Sequence, residues 1–267
     1  MSITPETYQD GNTRITLYDL SDCLENSTSA FELNKHNIDY TTPQQGAQMT
    51  ERMIGLGASY WPDGVGWAVE SVTLSTHSGT HVDAPAHYGP AAQGETRTID
   101  RVPLRWCFSD GVLLDMTYKK RGEGITDEDV QKALATIGYT LKPYDIILIR
   151  TDTSKHFKEP GYDMLHAGLR RSATEWLVDQ GVRLIGIDAW GIDRPFDVMV
   201  QEAKAGESQF WESHLLGRKK EYCQIEKLAN LDQLPRPFGF KVAAFPVNLK
   251  GASAGWSRVV AIFEEPS

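Results

Sequence analysis

Ser75-Thr76-His77-Ser78-Gly79-Thr80-His81-Val82-Asp83-Ala84-Pro85-Ala86-His87 holds three of the seven histidines of the chain, with an aspartate between the second and third. Imidazole nitrogen and carboxylate oxygen together suit Zn²⁺, Mn²⁺ or Fe²⁺, and three protein ligands leave a position open for water. Gly79 lets the backbone fold closely around an ion, and Pro85 argues against one helix through the run. The pattern predicts a strand ending near Ser75 that gives way to a tight loop, which turns His77, His81 and Asp83 inward. Simple packing explains such a cluster poorly, because buried ionisable groups are costly without a partner or a metal.

The eleven residues from His77 to His87 resemble the signature His-x-Gly-Thr-His-x-Asp-x-Pro-x-His. That signature belongs to the metal-dependent cyclase-like hydrolases, which include bacterial kynurenine formamidases and isatin hydrolases. The resemblance implies His77, His81 and Asp83 as ligands of a first metal. His214 and Glu226, twelve residues apart, match the pair that completes a second site in the formamidases, with Asp83 as a bridge. His87 stands where the family places its general acid/base, or else serves as a ligand to a second ion. Isatin hydrolases work with one Mn²⁺ and the formamidases with two Zn²⁺, so the implied cofactor is Mn²⁺ or Zn²⁺, one or two per chain. The implied fold is a swivelling β/β/α-type single domain with a mixed sheet, assembled as a homodimer or larger. These landmarks cover the chain from about Ser71 to Leu228.

Moving outward, 267 residues suffice for a sizeable core, and 40% hydrophobic with 24% charged residues is ordinary for a globular protein. No apolar run approaches the roughly 18–20 residues that span a bilayer. The N-terminus Met1-Ser2-Ile3-Thr4-Pro5-Glu6 lacks the features of a signal peptide. Three widely spaced cysteines, Cys23, Cys107 and Cys223, argue against a disulfide framework. A cytoplasmic protein is expected. The net charge of −9 disfavours nucleic acid or an anionic membrane as partner and leaves a small-molecule substrate.

Hydrophobic patterning predicts strands over 14–20, 67–75, 111–115, 144–150, 183–188, 239–247 and 257–264. Helices are expected over 126–137, with Thr126 and Asp129 as a capping pair, and from Ser172 with Glu175 as far as Gly181. A third helix over 208–220 presents His214, and Met49–Ile54 is a short helical piece. Alternating helices and apolar strands read as one mixed α/β (α+β) domain over 1–267. The irregular stretch of about 25–66 is either a pocket-covering segment or an ordinary loop. Trp61, Trp67 and Trp211 are candidates for stacking an aromatic substrate, or else core residues. Asp188 and Asp193 read as structural, and His36, His156 and His166 as surface residues.

The functional expectation is a metal-dependent amidohydrolase acting on C–N bonds other than peptide bonds. A metal-activated water would open a small cyclic amide or lactone, as in isatin hydrolysis, with His87 moving the proton. Hydrolysis of N-formylkynurenine is the alternative within that chemistry, and a non-catalytic metal-binding protein is the alternative outside it. No Gly-x-Ser-x-Gly elbow supports a serine hydrolase.

Overall fold

The run Ile146-Ile147-Leu148-Ile149 is buried on both sides, which is what a strand inside a parallel sheet requires. Ile147 and Ile149 join Val112, Leu114, Ile185 and Ile187 in one core. Ile146 and Leu148 join Leu113, Leu184, Val82 and Ile225 in a second core on the opposite face. The computed structural model describes residues 4–32 and 34–267. Met1–Ile3, part of the terminus read for targeting features, and Leu33, within the 25–66 stretch, lie outside the described residues. The chain forms two compact units, one made of the chain up to Cys23 together with Thr76–Ser267, the other of Leu24–Ser75.

The first unit is built on a ten-stranded mixed sheet. Its spatial order is Glu6–Asp10, Thr13–Asp19, Val260–Pro266, Phe240–Ala243, Phe108–Asp115, Ile146–Arg150, Leu184–Ile187, Cys223–Glu226, His81–Asp83 and Ala254–Trp256. The four strands from Phe108–Asp115 to Cys223–Glu226 run parallel to one another, and the flanking pairs are antiparallel. Helices Asp127–Ile137 and Arg171–Asp179 cover one face through Val130, Leu134, Ala173 and Leu177. The mixed α/β architecture is therefore as expected.

Thr126 caps the first of these helices reciprocally with Asp129, as the sequence predicts. The capping box expected at Ser172 does not form. Arg170 is the N-cap without a side-chain bond, and the Ser172 hydroxyl instead accepts from Asp127 N at 3.3 Å, serving the neighbouring helix. The helix expected over 208–220 is only Glu212–Leu216, because Trp211 is left-handed (φ 59°) and the Ser208 hydroxyl turns back to Glu202. Phe196–Ala205 is a helix, and Cys223–Glu226 a strand, that patterning missed.

The Leu24–Ser75 unit contains a two-stranded ladder, Asn37–Thr41 against Val69–Thr73, and the helix Pro43–Ile54. Thr42 and Gln45 form a capping box there, so the helix starts well before Met49. Among the described residues no helix is long and apolar enough to cross a membrane.

Candidate metal centre

The histidine-rich stretch is not a loop throughout. His81–Asp83 is a strand between Cys223–Glu226 and Ala254–Trp256, and strand pairing decides what meets what. Side chains alternate along a strand, so Val82 enters the core while His81 and Asp83 share the other face. The antiparallel register sets His81 against Glu226 and Asp83 against Gln224. His214 arrives from the short helix Glu212–Leu216, and His77 and His87 flank the strand.

Two groups of donor atoms result, His77–Asp83–His87 and His81–Asp83–Glu226, each within 4.8 Å of one another. Asp83 Oδ1 lies 2.8 Å from His77 Nδ1 and 3.3 Å from His81 Nε2. His81 Nε2 is 3.6 Å from Glu226 Oε2, and His214 Nε2 is 3.6 Å from Glu226 Oε1. His87 Nε2 stands 3.9 Å from Asp83 Oδ2. Asp83 thus belongs to both groups.

Hydrogen bonds on the far side orient the rings. His81 Nδ1 faces the Gly79 carbonyl at 2.8 Å; a carbonyl only accepts, so Nδ1 carries the proton and Nε2 presents a lone pair. His214 Nδ1 is held the same way by Asp193 Oδ2 at 2.5 Å, and His77 Nε2 lies 3.2 Å from Ser253 Oγ. The His87 ring has no hydrogen bond among the described residues, only its distant approach to Asp83.

His81 and Asp83 are fully buried, and Glu226 is 7% exposed. Among the described residues His81 Nε2 and Asp83 Oδ2 are buried without a hydrogen bond, and Asp83 Oδ1 meets the ring nitrogens of His77 and His81. Such orphaned atoms are costly, and a divalent cation would satisfy them with the nitrogen–oxygen donor set it prefers. The residues fit a metal. Burial pushes Asp83 up, but the combined pull of His81, His87 and His77 holds it well below the usual carboxylate range. Burial, then the charge of Asp83, raises Glu226 well above that range. Burial lowers His87 to about 3 against the upward pull of Asp83.

Trp211 stacks on His214 at 4.0 Å and meets His87 edge-on at 5.2 Å. Trp61 and Trp67 belong to the Leu24–Ser75 unit, where their rings pack edge to face at 5.4 Å. Asp193, read as structural, is the residue the sequence reading missed: it holds His214 Nδ1 and accepts from the backbone N–H groups of Ser213 and His214. Its only signal is a carboxylate just beyond a strand end. His36 and His166 are buried, bonded to the carbonyls of Glu25 and Asp193, whereas His156 is exposed beside Glu159.

The Cyclase family model matches residues 18–194, which includes the His77–His87 stretch and ends before His214 and Glu226. The kynurenine formamidase of Paracidovorax citrulli (strain AAC00-1) is 31% identical over 192 residues, 72% of this chain and 78% of the relative. Isatin hydrolase A from Labrenzia aggregata superposes with a TM-score of 0.73 at 20% identity, covering 94% of each chain. A structure described as a potential metal-dependent hydrolase with cyclase activity gives 0.63 at 21% identity, covering 94% of this chain and all of that one. The structural likenesses establish the shared fold; with the family match and the formamidase identity beside them, this protein belongs to the Cyclase family and is a metal-dependent hydrolase.

Proposed function

We propose that the protein hydrolyses the C–N bond of a small cyclic amide of the isatin type, using Mn²⁺ or Zn²⁺ held by His77, His81 and Asp83. His214 and Glu226 complete the site when a second ion binds. The observation that carries this reading is the set of buried donor atoms on His81 and Asp83 left unsatisfied among the described residues, beside an imidazole, His87, that has no hydrogen bond among them. A bound ion supplies Lewis acidity at the carbonyl and lowers the pKa of water from about 15.7 towards 7.

The chain's own residues do the rest. His87 has no hydrogen bond among the described residues, so its ring nitrogen is available to accept a proton from the attacking water and to deliver it to the departing nitrogen. The Asp83 carboxylate, 3.9 Å from His87 Nε2, steadies the imidazolium formed in between. Trp211, fixed by its stack on His214, offers a flat wall beside His87 for an aromatic ring. Family resemblance supports assembly as a homodimer or larger, and three widely spaced cysteines with no disulfide among the described residues support a cytoplasmic location.

A second reading, deformylation of N-formylkynurenine, is favoured by the identity to the Paracidovorax formamidase. Elemental analysis of untagged protein, with turnover of isatin and of N-formylkynurenine measured with and without chelator, separates the two. Chelator-sensitive isatin opening with about one Mn²⁺ per chain is the expected result. Formamide cleavage with about two Zn²⁺ would transfer the assignment to the second reading, and bound metal with neither substrate touched would sink both.

A further inference from the structure

Lys227 follows Glu226 directly, is only 3% exposed, and has a left-handed backbone (φ 58°). That conformation is unfavourable for a residue with a side chain, and burying an ammonium costs more unless it is paired. Glycine would meet the backbone requirement without either penalty. What lysine supplies in addition is a cation, and its position is well defined.

The Lys227 N–H reaches the Ala189 carbonyl at 2.8 Å. Its own carbonyl accepts from the Thr80 hydroxyl at 2.6 Å, whose oxygen in turn accepts from Asp22 N at 2.9 Å. Its Nζ donates to the carbonyl of His77 at 3.0 Å and lies 5.5 Å over the ring of Trp190. One residue therefore ties the end of the Cys223–Glu226 strand, which carries Glu226, to both ends of the turn from His77 to Thr80. Its charge also opposes the rise that burial and Asp83 impose on Glu226.

We propose that Lys227 is a positioning residue for the metal centre: its ammonium clamps the His77 carbonyl and so sets where the His77 ring stands relative to Asp83 and Glu226. This inference rests on the reading of His77 as a ligand. The ammonium itself touches neither substrate nor reacting atoms. It fixes one donor through the backbone, as second-sphere groups do for metal ligands generally.

Lys227→Gly and Lys227→Met test it, because glycine removes the ammonium while relieving the left-handed strain. Both variants should keep the wild-type near-ultraviolet circular dichroism, bind Mn²⁺ about 10–100-fold more weakly by titration, and shift the visible spectrum of the Co²⁺-loaded protein. Lys227→Arg should recover part of the affinity. Wild-type Mn²⁺ affinity together with an unchanged Co²⁺ spectrum in the glycine variant would overturn the inference. His77→Ala serves as the control. If it also leaves Mn²⁺ affinity untouched, the ligand reading of His77 fails; if it weakens binding while Lys227→Gly does not, only the clamp fails. Should the variants misfold, ¹⁵N-lysine-labelled wild-type protein answers instead. It should show a solvent-protected ammonium, shifted by the Trp190 ring, that moves on adding Zn²⁺, and the absence of that resonance would equally overturn the clamp.

Discussion

At the scale of single residues, the centre divides its histidines by what lies behind them. His77, His81 and His214 each have a partner on the nitrogen facing away, Ser253, the Gly79 carbonyl and Asp193, whereas the His87 ring has no hydrogen bond among the described residues. Ligands need a fixed lone pair, and a proton carrier needs freedom, so the two kinds of histidine are expected to fail differently. His87→Ala should retain metal, by elemental analysis, and lose about 10²–10⁴ in kcat; loss of metal in that variant would make His87 a ligand instead. Asp193→Asn keeps the shape but not the carboxylate charge against His214 Nδ1. Metal affinity should fall about 10–100-fold by competition with a chelator, while the fold persists. An unchanged affinity would reduce Asp193 to its backbone-capping bonds with Ser213 and His214.

At the scale of elements, the site depends on close backbone contacts that small residues permit. The two-residue strand Gly168–Leu169 runs beside the Asp193–Arg194 segment, and Leu169 N bonds to the Ile192 carbonyl at 2.8 Å. A methyl group on Gly168 would come within 2.3 Å of the Asp193 carbonyl carbon and 2.4 Å of Arg194 N, both backbone atoms with no side-chain freedom to yield. Gly168→Ala should therefore destabilise the protein by about 1–3 kcal/mol in denaturant unfolding. It should also weaken metal binding as Asp193→Asn does, since the displaced segment carries Asp193. Loss of stability with metal affinity intact would separate this strand from the site. The Thr126–Asp129 cap of the Asp127–Ile137 helix has no such reach, because beyond that helix end Asp129 meets Tyr118 and Lys119 and no residue of the donor cluster.

At the scale of the whole molecule, two buried ionisable groups away from the donor cluster give pH dependences of opposite sign. Burial lowers His166 from 6.5 to about 4 despite its bond to the Asp193 carbonyl. Between those values the unfolded chain binds a proton that the folded protein refuses. Stability from this residue is intact above about 6.5 and lost as pH falls towards 4, roughly 3 kcal/mol in all. Burial raises Asp188 from 3.8 to about 6, even with Thr151 and Asp152 donating to it, so its contribution declines as pH rises across that interval. The two nearly offset, and the wild-type stability curve alone would not reveal either. The difference between wild type and His166→Gln isolates one of them: wild type should lose about 3 kcal/mol relative to the variant between pH 6.5 and 4 in urea unfolding. A difference that stays flat with pH would mean that His166 is protonated in the folded protein.

How much of this was legible beforehand follows from the range of the interactions involved. The donor types, their compact spacing from His77 to His87, the central apolar strands and the Thr126 cap are local properties of the chain, and local chemistry writes them into the residue order. The family signature extended that reading to His214 and Glu226, which spacing alone singles out poorly. Three things were decided only by the folded molecule. The pairing of His81 with Glu226 is a matter of strand register between segments more than a hundred positions apart, and the alternation in Cys-Gln-Ile-Glu, only four residues long, does not say which strand it meets. The helix before His214 was cut short because Trp211, stacked on His214, adopts a left-handed backbone against the local pattern. Asp193 and Lys227 carry no motif, and they matter because the fold sets a carboxylate behind one imidazole and an ammonium against the carbonyl of another. Residue order fixes which atoms could bind a metal; the folded molecule sets which of them face one another, since only long-range packing can meet the cost of holding so many ionisable groups away from water.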